Sequence, residues 1–329
     1  MSDPVSTDSE PLHPQPPTTL PEKPSRRGMS ETLTRLLTAA VLIPSVVWVI
    51  VQGGLLYLAV VTAFVLLGQR EFYHLIEEKG ARPLWSLGLA AGAALQLVAY
   101  VGNAYHATLL MTASLLFLMV AQLRKRNITE SLASISGTFF GVFYVGWLMS
   151  HAIVLRGFSE KAEQGILLPL KGIELKFLQL NPEAGIFFFI FTLAVVISSD
   201  AGAYFVGRAY GRHKLAPQIS PSKTVEGAGG GVLCGIAAGL ICKALFDQFW
   251  PSLSLSLEWA AVAAFGLVLA LVGVVGDLVE SLLKRDAKLK DTGALLPGMG
   301  GVLDRIDALL LAIPVMYYML LGYFFVRLN

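Results

Sequence analysis

Long apolar segments recur along this chain, separated by short stretches rich in charged residues, glycine and proline. A helix needs about 20 predominantly apolar residues to cross the hydrocarbon core of a bilayer, and most of these segments have nearly that length. The pattern therefore predicts nine transmembrane helices. Their predicted spans are 36–52, 54–72, 84–101, 106–123, 133–155, 185–207, 226–246, 259–283 and 302–326. The polar-apolar mixture at 156–184 predicts a loop with room for a surface helix.

The composition excludes a soluble globular protein, because 55% of the residues are hydrophobic and only 15% are charged. We therefore expect an all-α, polytopic transmembrane bundle. Residues 1–30 are expected to form a disordered, Pro/Ser-rich cytoplasmic tail. Residues 31–184 are expected to supply about five membrane helices. Residues 185–329 are expected to form a catalytic membrane region of about four helices with two cytoplasmic loops.

Lysine and arginine are distributed unevenly between alternate loops. With the amino terminus in the cytoplasm, nineteen of the 25 basic residues fall in cytoplasmic segments and six fall outside. Cytoplasmic loops carry such an excess of Lys and Arg in membrane proteins. The bias predicts a cytoplasmic amino terminus, an external carboxyl terminus and a location in the cell inner membrane. It also places both polar motif loops on the cytoplasmic side, where nucleotides are found.

The first polar block begins in the sixth predicted helix and continues through the following loop. Asp200 lies in the helix, and the loop carries Lys223 between serines before a glycine-rich helix start at 227–231. Free backbone N–H groups at a helix start favour anions, and glycines let a phosphate approach them. Asp200 could instead be a structural partner of Arg208, and that alternative stays open. The sequence contains no G-x-x-x-x-G-K-[ST] motif, so a P-loop is excluded.

The second polar block joins the last two predicted helices. One helical stripe near the end of the eighth helix comprises Asp277, Glu280, Ser281 and Lys284. Asp304 and Asp307 share a face of the ninth helix, close to its start. Carboxylates at the edge of a membrane span cost on the order of 3 kcal/mol each on insertion scales, so such residues usually face a polar cavity. An all-oxygen cluster suits a hard cation, and Mg²⁺ often brings substrate phosphates with it. Glu71 is ambiguous, and we do not place it in the site.

These blocks resemble the signature of the phosphatidate cytidylyltransferases, also called CDP-diacylglycerol synthases. The matching positions of the second block are Ser281, Lys284, Arg285, Lys290, Asp291, Gly300, Gly301, Asp304, Arg305 and Asp307. The upstream block from Ser199 to Tyr204, with 211–215 and 220–224, is also similar, so the resemblance covers roughly residues 185–320. One departure is Met299, which stands where the family commonly has a histidine.

The resemblance implies that CTP and phosphatidate react to give CDP-diacylglycerol and pyrophosphate, with Mg²⁺ as cofactor and a second cation allowed. It implies that Asp277 and Asp304 bind the metal, with Glu280 and Asp307 as second choices. Together with Lys284 and Arg285, these four carboxylates form the predicted catalytic set. The predicted substrate-binding residues are Asp200, Ser220, Ser222, Lys223, Glu226, Lys290, Asp291, Arg305, Gly300 and Gly301. The expected partners are CTP, phosphatidate and membrane lipid, with no nucleic acid, and a homodimer is left open.

Two other classes of protein would also place carboxylates in a membrane. A cation-coupled transporter would do so, but it would tend to show internal repeats or broken helices near the midplane, and it would not need a basic, glycine-flanked cytoplasmic loop. A CTP-using polyprenol or dolichol kinase would act at the γ-phosphate of CTP instead. The product distinguishes these alternatives, because only the cytidylyltransferase carries cytidine into lipid.

Overall fold

The computed structural model describes residues 29–125, 129–163, 181–293 and 300–328. The helices are α1 (Met29–Gln52), α2 (Gly54–Glu78), α3 (Trp85–Val101), α4 (Ala104–Leu123), α5 (Ser131–Gly141), α6 (Leu148–Arg156), α7 (Phe158–Glu163), α8 (Ala184–Tyr210), α9 (Val225–Phe249), α10 (Pro251–Ser254), α11 (Trp259–Asp286) and α12 (Leu303–Leu328). Residues 1–28 of the predicted disordered tail, most of the predicted 156–184 loop and Met299 lie outside the described residues, whereas Met29 and Ser30 belong to α1.

The prediction of an all-α, polytopic membrane bundle is confirmed. Within the described ranges, seven helical segments are long and apolar enough to cross a membrane. They are α2, α4, the continuous helix formed by α5 and α6, α8, α9, α11 and α12. Shorter apolar stretches are 40–52 in α1 and all of α3, so the count of nine stays a prediction. Helix α2 continues six residues beyond its predicted end at 72, which places Glu71 well inside a regular helix.

Two local features were absent from the sequence-based prediction. A short antiparallel hairpin, β1 (Lys214–Ala216) and β2 (Ser220–Thr224), joins α8 to α9. A π-helical turn at Val142–Trp147 separates α5 from α6 inside one predicted span. Such single turns occur frequently at functional sites. The hydrophobic pattern of this span does not reveal the π-helical turn, because the residues of the turn are as apolar as those of the α-helices on either side.

The helices α8, α9, α11 and α12 pack against one another and form the half of the bundle that carries both polar motifs. Phenylalanines of α8 fill its core, with Phe187, Phe188 and Phe191 fully buried. Close backbone approach is possible at Gly276, where an added Cβ would lie 2.9 Å from both Ala308 Cα and Asp307 O. Small residues allow membrane helices to approach closely, because packing rather than hydrophobic burial holds them together.

Gly276→Ala is expected to lower the melting temperature of the protein in detergent. The added methyl group would meet backbone atoms of α12, which cannot rotate away, so we expect overpacking to cost about 1–3 kcal/mol. That cost exceeds the roughly 1 kcal/mol gain in helix propensity from replacing glycine by alanine. Gly322→Ala is the matched control on α12, where an added Cβ meets nothing within 4 Å. Equal melting temperatures for the two variants would contradict the proposed close contact.

Candidate active site

Four helix ends and the hairpin meet on one side of the bundle. The carboxyl ends of α8 and α11 lie there, together with the amino ends of α9 and α12. The start of α9 is fixed locally, since Thr224 Oγ1 accepts a hydrogen bond from the Gly227 N–H at 3.1 Å. Serine and threonine side chains commonly cap helix starts in this way. This arrangement brings the two polar blocks of the sequence together on one side of the bundle.

Three carboxylates form a compact cluster at these helix ends. One oxygen atom from each of Asp277, Glu280 and Asp307 lies within 4.8 Å of the other two. Asp277 and Glu280 follow one face of α11, and Asp307 reaches them from the first turns of α12. Glu280 is fully buried, and its Oε1 has no hydrogen-bond donor among the described residues. Like charges this close repel one another strongly unless protons or a cation compensate for them.

Two lysines neutralise part of this negative charge. Lys284 Nζ lies 2.6 Å from Glu280 Oε2 and 2.8 Å from Asp304 Oδ1, so it bridges α11 to α12. Lys223 of the hairpin pairs with Asp277. Asp200 lies within electrostatic range of Asp277, Lys223 and Arg305, although its side chain is exposed. The site therefore combines four carboxylates of α11 and α12 with cations from two separate parts of the chain.

Asp304, the other predicted metal ligand, lies outside the three-carboxylate cluster. Its Oδ1 pairs with Lys284, and its Oδ2 accepts hydrogen bonds from Gly301 N at 2.8 Å and Thr292 N at 3.1 Å. The Thr292 hydroxyl, which Asp304 shares with Glu71, lies 3.0 Å from Oδ2. These donors occupy both oxygens. The geometry favours Asp277, Glu280 and Asp307 as the group that can hold a cation, and it gives Asp304 the position of a structural link between Lys284 and the preceding loop.

The remaining predicted residues surround this centre. Ser281 Oγ donates to Asp277 Oδ1 at 3.4 Å, and Arg285 donates to the carbonyls of Ile219 and Leu289. Four of these residues are exposed, and Ser220 is half-buried. The exposed ones are Ser222, Lys290, Asp291 and Arg305. Gly300 adopts a φ of +85°, and Gly301 follows it at the entry to α12.

Two residues near the hairpin have other partners close by. Glu226 accepts hydrogen bonds from Arg212 N and His213 N, which anchors the hairpin to α9. His213 Nδ1 lies 2.5 Å from Glu226 Oε1. Within the described residues, Arg208 donates a hydrogen bond to Tyr204 Oη at 3.0 Å and not to Asp200.

Three residues outside the predicted site contact it or lie close to it: Glu71, Thr292 and Tyr144. Glu71 of α2 accepts a hydrogen bond from Thr292, the same threonine that binds Asp304. Tyr144, in the π-helical turn, has a buried hydroxyl without a hydrogen-bond partner among the described residues, and Asp307 and Glu280 act on it electrostatically. The only signal for Glu71 was a carboxylate inside an apolar segment.

An all-oxygen cluster beside lysines and the amino terminus of α9 defines a membrane protein that can bind a hard cation together with phosphate groups. Known proteins agree with this description. The profile of the cytidylyltransferase family matches residues 33–323. A phosphatidate cytidylyltransferase of Synechocystis sp. is 33% identical over 292 residues, covering 86% of this chain and 94% of that protein.

Shorter alignments link the chain to two further proteins of the same name. The Bacillus subtilis protein is 41% identical over 136 residues, which cover 41% of this chain and 48% of that protein. The Brucella suis protein is 37% identical over 179 residues, which cover 53% of this chain and 63% of that protein. The chain belongs to the cytidylyltransferase family and is a nucleotidyltransferase with several membrane helices.

Proposed function

We propose that this enzyme transfers the cytidylyl group of CTP to phosphatidate and releases pyrophosphate, and thereby forms CDP-diacylglycerol. The observation that carries the proposal is the cluster of Asp277, Glu280 and Asp307 next to two lysines at the end of the membrane helices. The three relatives, which are named phosphatidate cytidylyltransferases, support the choice of phosphatidate as the acceptor. Its acyl chains would stay in the bilayer, while its phosphate reaches the helix ends.

The donor set fits a divalent cation. Its ligand atoms are all carboxylate oxygens, and the buried Glu280 Oε1 has no hydrogen-bond donor among the described residues. We propose that Asp277, Glu280 and Asp307 hold Mg²⁺, with a second cation allowed. The ion would supply charge neutralisation and alignment of phosphate oxygens. Asp304 would keep Lys284 and the loop before α12 in place, which is a different role from the one that the resemblance implied.

The protein residues would bind and orient the triphosphate. Lys223, Arg285 and Lys290 would contact phosphate oxygens, as would Lys284 when it exchanges one carboxylate for a phosphate. Arg305, exposed at the start of α12, would contribute a further cation, whereas the N–H groups of Gly301, Val302 and Leu303 already donate to Asp304 and Glu71. Ser220, Ser222, Asp200, Glu226 and Asp291 are proposed to complete the substrate-binding surface, with Glu226 acting through the hairpin that it anchors.

The reaction needs positioning more than proton transfer. A phosphate oxygen of phosphatidate attacks the α-phosphorus of CTP, and the bond from that phosphorus to the bridging oxygen of pyrophosphate breaks. A phosphate monoester has a second pKa near 6, so the nucleophile is already largely ionised at neutral pH. No general base is required, and a methionine at position 299 is compatible with this chemistry. Catalysis would come from in-line alignment and charge neutralisation.

The uneven distribution of Lys and Arg supports a site on the cytoplasmic face of the inner membrane, with the amino terminus inside and the carboxyl terminus outside. We propose that residues 31–184 support the catalytic region, 185–329, in this membrane. The possibility of a homodimer stays open to measurement by mass photometry in detergent.

Purified protein is expected to incorporate label from [α-³²P]CTP into a lipid when phosphatidate is supplied, and to release unlabelled pyrophosphate in equal amount. Label from [γ-³²P]CTP is expected to appear only in pyrophosphate. EDTA should abolish both products, and Mg²⁺ added in excess should restore them. Transfer of the γ-label to lipid would indicate a lipid kinase instead, and the absence of any CTP-dependent product would reject the proposed reaction.

A further inference from the structure

Glu71 connects the amino-terminal helices to the active-site loop through three hydrogen bonds. Its Oε1 accepts from Val302 N at 3.0 Å, and its Oε2 accepts from Leu303 N at 2.8 Å and from Thr292 Oγ1 at 3.1 Å. Thr292 and Val302 are each 2% exposed, and Leu303 is fully buried. More than 200 residues separate Glu71 from each of these partners. A carboxylate on α2 thus stabilises the first turn of α12.

Two glycines, Gly293 and Gly301, pack closely against this carboxylate. A Cβ at Gly293 would lie 2.5 Å from Glu71 Oε1, and a Cβ at Gly301 would lie 2.5 Å from Glu71 Oε2. Glycine at both positions lets the backbone approach the carboxylate without a clash. The negative charge also lies at the positive end of α12, where such a charge typically contributes about 0.3–1 kcal/mol. Both the shape of the loop and the charge therefore favour a carboxylate at position 71.

Thr292 joins Glu71 to the catalytic centre. Its hydroxyl lies within hydrogen-bond distance of Glu71 Oε2 and Asp304 Oδ2, and its backbone N–H also donates to Asp304. Asp304 in turn pairs with Lys284, and Lys284 pairs with Glu280 of the carboxylate cluster. An unbroken series of polar contacts runs from Glu71 to the proposed cation site. Groups that hydrogen-bond to metal ligands typically change activity or metal affinity 10–100-fold when mutated, and Lys284 is such a group beside Glu280.

We propose that Glu71 is a positioning residue: it holds Thr292 and the first turn of α12 in place, and it thereby sets the positions of Asp304 and Lys284. The amino-terminal helices are then part of the active site as well as a membrane scaffold. This inference rests on the proposed cytidylyl transfer for its activity measurements, but its structural measurement is independent of that function.

Glu71→Gln is expected to lower kcat about 10–100-fold with little change in KM for CTP. The amide would direct an NH₂ group at one of the N–H or O–H donors, so at least one hydrogen bond is lost. Glu78→Gln is the control, because it makes the same change on α2 at an exposed carboxylate. Hydrogen exchange of peptides covering Thr292 and 301–303 should be faster in Glu71→Gln than in Glu78→Gln.

Thr292 variants test whether the effect passes through the hydroxyl. Thr292→Val should lower kcat as Glu71→Gln does, whereas Thr292→Ser, which keeps the hydroxyl, should retain most of it. The double variant Glu71→Gln/Thr292→Val should lose no more than the larger single effect, because both changes break one series of contacts. A purely scaffolding role would lower the melting temperature and leave the two effects on kcat multiplicative.

The inference is overturned if Glu71→Gln keeps the kcat of Glu78→Gln, or if the two single effects multiply. A wild-type protein without cytidylyl transfer would reject the proposed function instead. In that case the hydrogen-exchange comparison still tests whether Glu71 holds Thr292 and residues 301–303 in place. Equal exchange in Glu71→Gln and Glu78→Gln would reject that structural role.

Discussion

Asp307→Asn and Asp277→Asn are each expected to lower CDP-lipid formation by about 10²- to 10³-fold, the range seen when one preorganised electrostatic contact to a transition state is removed. In both variants one charged oxygen ligand leaves the three-carboxylate cluster. Weaker cation binding should accompany the loss of activity. Titration of Mn²⁺ followed by electron paramagnetic resonance measures that binding without any turnover.

Asp286→Asn is the matched control, because Asp286 lies on the same helix but is exposed and pairs with Lys79 at 2.6 Å. It should retain both activity and Mn²⁺ binding. Asp304→Asn is the informative comparison. The geometry predicts that this variant loses activity, because Lys284 and the loop lose an anchor, yet still binds Mn²⁺ more tightly than Asp307→Asn does. If Asp304→Asn instead loses Mn²⁺ and Asp307→Asn retains it, the assignment implied by the family resemblance is the correct one.

The regular features of the fold follow from local patterns, and the sequence therefore predicts them. Apolar length locates the helices, and the family is identifiable from the spacing of Ser281, Lys284 and Asp304. Helical periodicity also places Asp277 and Glu280 on one face. Each of these inferences uses residues close together in the chain, where 1.5 Å of rise per residue fixes the geometry.

The distinction between Asp304 and Asp307 does not follow from local patterns. Both residues lie in the first turns of α12, and both could face α11 in the sequence. The difference depends on Gly301 and Thr292, whose donors occupy Asp304 and leave Asp307 to join Glu280. These contacts are set by how α12 is rotated about its axis, and periodicity alone leaves that rotation undetermined.

The role of Glu71 depends on an even longer separation. Sequence inspection shows a carboxylate in an apolar helix, but its partners are the start of α12 and a threonine 221 positions away. No spacing rule connects residues this far apart. The contact between Lys223 and Asp277 is also unpredictable from spacing, because the hairpin formed by β1 and β2 has to place Lys223 beside α11. Contacts between residues this far apart in the chain can be identified only from the three-dimensional structure.

Lys284→Met is expected to destabilise the protein by about 3–5 kcal/mol, the usual cost of removing one partner of a buried ion pair. Its side chain is 13% exposed, whereas those of Glu280 and Asp304 are 0% and 6% exposed. Without the ammonium group, two buried carboxylates would face each other uncompensated. The melting temperature in detergent should therefore fall clearly below that of Lys288→Met, a control at an exposed lysine four residues along the chain.

A second change separates stability from catalysis. The double variant Lys284→Met/Glu280→Gln removes one of the uncompensated charges, so it should recover part of the melting temperature. It should not recover CDP-lipid formation, because the cluster has lost a carboxylate and the site has lost a phosphate-binding cation. Recovery of activity together with stability would mean that Lys284 only compensates buried charge. A melting temperature of Lys284→Met equal to that of Lys288→Met would show that the ion pairs at Lys284 are too weakly formed to anchor α12 against α11.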